Sequence, residues 1–175
     1  MIYLLNQKFF NNEIEWKSII MTNTVPDQRS RDQFRSWTAV TIRFSDQDPL
    51  GHINNVAYAA YIEAARTMFL GRLLDSQKHP TIDFMLASVK IDYLKEAHYP
   101  GTIDVGAHLI RLGNKSITTG YGIFLGDKCL ATSKSINVFF DTQTRETVAI
   151  PDDVRIALQA DPLQENPSGN YVRNY

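Results

Sequence analysis

The chain has 175 residues, of which 43% are hydrophobic and 21% charged, enough for one domain with a real core and too apolar for disorder as the dominant state. Eighteen Lys and Arg against 19 Asp and Glu leave a net charge of −1, without the basic excess of a nucleic-acid binder. The single cysteine, Cys129, excludes an intramolecular disulfide framework. No apolar run approaches the roughly 18 residues of a membrane span, and no basic residue precedes Met1-Ile-Tyr-Leu-Leu as in a secretory signal. The expectation is a soluble, cytoplasmic, single-domain protein with neither a nucleic-acid partner nor a membrane span.

Residues 1–37 mix aromatic side chains with Asn, Gln and Lys, and residues 22–36 are polar and turn-rich. They read as an N-terminal extension or arm ahead of the domain. Residues 1–20 read as an upstream extension before a native start at Met21, or else as an arm that packs on the sheet or on a neighbouring subunit. Arg29, Arg31 and Arg35 form a small basic cluster, a solvated surface in the plain reading and a phosphate contact in the sharper one. Thr38–Phe44 alternates like a strand. Ser45–Gly51 is a turn, with Asp48, Pro49 and Gly51 where a type I turn places such residues. Asn54-Asn55 supplies helix N-cap chemistry. Residues 56–75 then carry apolar side chains at helical spacing, with few charges, which predicts a helix buried on most sides.

Four alternating stretches follow, 86–94, 103–111, 116–125 and 130–140, separated by a bend at His98–Gly101 and by tight turns at Gly113-Asn114 and Gly126-Asp127. Close spacing and glycine turns predict an antiparallel meander. A short helix over 151–158 and a polar tail from 161 complete the chain. One long apolar helix and five strands imply an α+β domain over 38–160, a five-stranded antiparallel sheet wrapped around a central helix.

Functional residue types concentrate between Arg43 and Tyr58. A helix N-terminus presents free N–H groups suited to a developing oxyanion, and a carboxylate just ahead of it is placed to act as nucleophile or general base. Each residue also has a plain structural role. Asp48 fits the turn, Asn54 and Asn55 fit caps, His52 fits a surface or packed histidine, Asp46 fits a partner for Arg43, and Glu63 with Arg66 fits a helix-surface pair. Cys129 has no nearby His or Cys, and no phosphate loop, HExxH or G-x-S-x-G is present.

The string R-F-S-D-Q-D-P-L-G-H-I-N-N-V-A-Y-x-x-Y-I-E-x-A-R, from Arg43 to Arg66, resembles the signature of hotdog-fold acyl-CoA thioesterases, in particular the 4-hydroxybenzoyl-CoA thioesterase-like branch. Residues Asn137–Arg155 resemble that family's last strand and C-terminal helix. The resemblance implies a thioester hydrolase with no metal or organic cofactor. It makes Asp48 the nucleophile or general base and the backbone amide of Asn55 the oxyanion donor. Gly51, Asn54 and Tyr58 become substrate-binding residues, and His52 orients water or the carboxylate. Plant-type acyl-carrier-protein thioesterases share the acid and the histidine, matched here by Asp48 and His52, but Leu50 stands where they have Asn. The resemblance leaves the acyl carrier open between CoA and a carrier protein, and a non-catalytic acyl-thioester-binding protein is the reading from another class. The family's side-by-side sheet pairing implies a homodimer or homotetramer with the site at the subunit boundary.

Overall fold

The computed structural model describes residues 27–159. Most of the expected arm, the start at Met21 and the polar tail lie outside the described residues. The elements are β1 (Ser36–Thr41), α1 (Asn55–Gly71), β2 (Ile82–Tyr93), β3 (Thr102–Leu112), β4 (Ser116–Leu125), β5 (Lys128–Asp141) and α2 (Asp152–Gln159). The five strands form one antiparallel sheet in the order β1-β3-β4-β5-β2, so the hairpins β3–β4 and β4–β5 make its centre and β1 and β2 its edges. This is the expected α+β hotdog architecture, with α1 against one face.

Helix α1 forms because Asn54 caps it, its side chain accepting the Val56 N–H, and because Ala57, Tyr61, Ala65 and Phe69 repeat at four-residue spacing on its buried side. These side chains share one core cluster with Ile103, Val105 and Ala107 of β3 and with Tyr121 and Ile123 of β4. Each such large side chain contributes about 1.5–3 kcal/mol through burial. The helix stops at Gly71, four residues short of the expected end. There Leu73 N–H closes on Leu70 C=O at 3.0 Å, and Asp75 opens a separate turn by accepting the Gln77 N–H at 2.9 Å.

Burial has two gaps. Helix α1 is buried on most sides, but Val56, Ala59, Ala60 and Glu63 form an exposed stripe along its first half. The apolar alternation of β2 does not point into a covered core, since Met85, Leu86, Val89 and Tyr93 are all exposed. The reason is common to both. Edge strand β2 runs beyond the part of the sheet that α1 covers, so a groove stays open between them.

The other sheet face is covered locally. Phe34 is buried and lies over Gly106 and Gly122, where a Cβ would collide with its ring. Arg31 donates to Asp104 at 3.1 Å and to Gly126 C=O at 2.8 Å, and its guanidinium sits over Trp37. Over residues 27–35, then, the polar stretch packs on the sheet, and its central arginine clamps it there.

Candidate active site

The segment between β1 and α1 is held by two aspartates with different tasks. Asp46 is buried. Its carboxylate accepts from Arg43 N–H at 2.9 Å, Arg43 Nε at 3.0 Å and the Tyr61 hydroxyl of α1 at 2.8 Å. Burial pushes its pKa up, but the hydrogen bonds and charge of Arg43 outweigh this and hold it below the ordinary value. Burial and the Asp46 carboxylate together raise the Tyr61 pKa. The Asp46 carbonyl accepts the Asn54 N–H at 2.8 Å. Asp46 thus latches both ends of the loop to the helix, which is the pairing with Arg43 anticipated from spacing.

Asp48 begins the type I turn: its carbonyl accepts the Gly51 N–H at 3.0 Å, and its N–H donates to His52 C=O at 2.8 Å. One carboxylate oxygen, Oδ1, accepts the N–H groups of Leu50 and His52 at 2.9 and 3.0 Å. Among the described residues the second oxygen, Oδ2, has no partner. Gly51 has φ of +80°, and nothing lies within 4 Å of where its Cβ would be. Its requirement is therefore conformational, and the space above it is open.

Asn54 and Asn55 part company at the helix start. Asn54 spends its side chain on the cap, as its residue type suggests. Asn55 is exposed, and its backbone N–H has no partner among the described residues, while its carbonyl accepts the Tyr93 hydroxyl at 3.0 Å. This leaves an N–H donor at the positive end of α1 a few residues after Asp48. Tyr58 is buried, its ring edge-on to Tyr93 at 5.4 Å. The His52 ring is turned to Glu96, with Nε2 to carboxylate 3.5 Å, and to His98, with centroids 5.1 Å apart.

From Val56 a groove of about 350 Å³ runs between α1 and β2, lined mainly by Ala59, Ala60, Ile62, Leu86 and Val89, with Glu63 and Arg66 at its polar end. Arg66 is buried and donates to Asn137 at 3.4 Å. Asn137 in turn donates to Ser135 at 3.1 Å, and Ser135 lies 2.9 Å from the Thr119 hydroxyl, a polar chain within the otherwise apolar core. The Glu63–Arg66 pair expected on the helix surface exists at 3.4 Å, but its arginine end faces inward. Sequence reasoning missed Tyr93, Glu96 and His98 as site residues, which come from a distant strand and loop and carry no local motif, and it read Asn137 only as the start of the family-like last strand.

The profile of the thioesterase-like superfamily matches residues 42–158, and the chain belongs to that superfamily. Among solved structures, the PA5185 protein of Pseudomonas aeruginosa strain PAO1 is 30% identical, with a TM-score of 0.67 over 74% of this chain and 93% of that one. A thioesterase of Thermus thermophilus, solved with coenzyme A and Zn, is 26% identical, with a TM-score of 0.65 over 77% of this chain and 97% of that one. The uncharacterised protein YsmA of Bacillus subtilis (strain 168) is 27% identical over 97 residues, 55% of this chain and 66% of YsmA, just under two thirds of its length. Among the described residues no helix is long and apolar enough to cross a membrane.

Proposed function

We propose that the chain hydrolyses acyl-CoA thioesters to a carboxylic acid and free CoA. The observation that carries the reading is the unpartnered Asn55 N–H at the head of α1, directly behind the folded Asp48 loop and at the entrance of the α1–β2 groove. The acyl group occupies the groove, and its thioester oxygen sits on the Asn55 amide. Charge developing on that oxygen is met by the helix N-terminus. The free Oδ2 of Asp48 takes a proton from the attacking water, or itself attacks the carbonyl as nucleophile. The His52 and Leu50 N–H groups hold the carboxylate in place and aimed. Collapse of the tetrahedral intermediate expels the CoA thiolate, which leaves the free acid directly when water attacks, or an acyl–Asp48 anhydride that a water then hydrolyses to the acid when Asp48 attacks. Water, a carboxylate and an oxyanion donor suffice for this chemistry, so the reading invokes no cofactor. The CoA-bound Thermus relative supports CoA as the carrier.

In this reading the active unit is a homodimer or larger, formed through the β2 edge. Support comes from the exposed Met85, Leu86, Val89 and Tyr93 on an unpaired edge strand, a surface that proteins cover or pair. The decisive experiment follows thiol release with a chromogenic reagent over a panel of acyl-CoAs and acyl-carrier-protein thioesters. Turnover of acyl-CoAs above that of the carrier-protein forms is expected. Tight acyl-CoA binding without thiol release would turn the assignment to a binding protein.

A further inference from the structure

We propose that His52, Glu96 and His98 form a binding site for a zinc-class divalent cation at the rim of the Asp48 loop. The inference is separate from the hydrolase reading and does not rest on it. One ligand atom from each residue lies within 4.8 Å of the other two, the one such trio of His, Cys, Asp or Glu among the described residues. His52 Nε2 is 3.5 Å from one Glu96 carboxylate oxygen, and His98 Nε2 is 4.0 Å from the other. Ligand atoms around a tetrahedral zinc, with bonds of about 2.0–2.2 Å, are about 3.3–3.5 Å apart. One pair already has that spacing, and small rotations of three exposed or half-buried side chains close the rest.

The surroundings fit a ligand set better than a chance surface pairing. His98 Nδ1 lies 3.0 Å from the Gly51 carbonyl. A carbonyl only accepts, so Nδ1 is the donor there, and Nε2 is the nitrogen left to a metal. A backbone carbonyl on the far nitrogen is the usual way a metal-binding histidine is oriented. The segments that carry the ligands are already joined, because Ile53 N–H donates to Ala97 C=O at 2.9 Å, between Glu96 and His98, and the His52 N–H is fixed on Asp48. Lys128 donates to the Glu96 carbonyl at 3.0 Å, and among the described residues the Glu96 carboxylate itself pairs with the two imidazoles and with no Lys or Arg. Two imidazoles and one carboxylate favour zinc and its borderline neighbours over magnesium or calcium. Three protein ligands leave a fourth position for water. His52 is more than forty positions from the other two, so no ligand spacing is readable along the chain.

The test is calorimetric titration of the tag-free full chain, stripped with EDTA, with zinc chloride and with magnesium chloride as control. One zinc per chain is expected, with no magnesium binding, and zinc should raise the melting temperature of the wild type. Loss of an outer-shell partner already weakens metal sites roughly 10–100-fold, so removing a direct ligand by His98→Ala or Glu96→Gln should cost about 100-fold or more in zinc affinity. Glu96→Gln keeps the Gly51–His98 contact, and among the described residues its carboxylate makes no hydrogen bond or ion pair outside the trio, so it carries the test even if His98→Ala disturbs the loop. Absence of zinc binding by the wild type overturns the proposal. So does unchanged affinity in Glu96→Gln, which would place the ion elsewhere, for instance at the His79–Asp153 pair.

Discussion

Replacing each loop aspartate by asparagine separates chemistry from architecture. In Asp48→Asn the amide oxygen takes the place of Oδ1 and still accepts the Leu50 and His52 N–H groups, at 2.9 and 3.0 Å in the wild type. The turn keeps its hydrogen bonds and loses only a charge, so stability should change by about 0.5 kcal/mol or less, roughly 1–2 °C in melting temperature for a chain of this size. Turnover should fall by about 100-fold or more, the usual cost of losing a general base, which is about 2.7 kcal/mol of barrier. Asp46→Asn inverts the pattern. Its buried carboxylate takes bonds from Arg43 N–H, Arg43 Nε and the Tyr61 hydroxyl, and an amide must turn an NH2 group against one of those donors. A cost of about 2 kcal/mol follows, or roughly 4–8 °C, with the smaller loss of rate. Arg43 is largely exposed, which keeps the figure below that of a fully buried pair. Thiol release at saturating acyl-CoA and scanning calorimetry on both variants read the two effects. Near-wild-type turnover by Asp48→Asn would refute the catalytic assignment, and melting as early as Asp46→Asn would make Asp48 a structural residue.

Three further outcomes follow from the same geometry. The folded-state pKa of Asp46 lies below its unfolded value of about 3.9, so its contribution is present above that pH and is lost as pH falls from there through the folded value; the melting temperature should drop more steeply below about pH 4 in the wild type than in Asp46→Asn, and parallel curves would contradict this. Gly51→Ala meets no neighbour, so its cost is the left-handed backbone alone, about 1–2 kcal/mol by denaturant titration; an unchanged midpoint would mean the loop relaxes freely. Phe34→Ala should lose about 3–5 kcal/mol, and a loss near zero would show that residues 27–35 are not part of the folded unit.

The sequence made the sheet and helix legible because long apolar periods announce themselves. Residues 116–125 alternate cleanly and form β4 with those bounds, and the cap at Asn54 marks the start of α1. Burial was harder to read, because alternation in β2 says that one face is apolar but not that the helix stops short of it. The polar neighbours of Phe34 hid a residue whose partners are glycines on two strands far along the chain. At the site, Arg43–Tyr58 was readable as a cluster, and Asp46 and Asn54 kept the local roles their types suggest. Glu96 and His98 were invisible, since the Ile53–Ala97 and Gly51–His98 contacts that bring their loop beside His52 leave no local pattern along the chain.

The glycines under Phe34 bear on where this protein can be cut. Gly106 and Gly122 are neighbours across β3 and β4, and Phe34 fills the shallow trough their missing side chains leave. Strand and segment are therefore shaped for one another. Trimming the chain to the start of β1 would strip the lid from bare backbone in the middle of the sheet and open a sticky apolar slot to water. A minimal fragment meant to fold and stay dispersed has to include Gln28–Phe34, so that Phe34, Arg31 and the clamp on Asp104 travel with the domain.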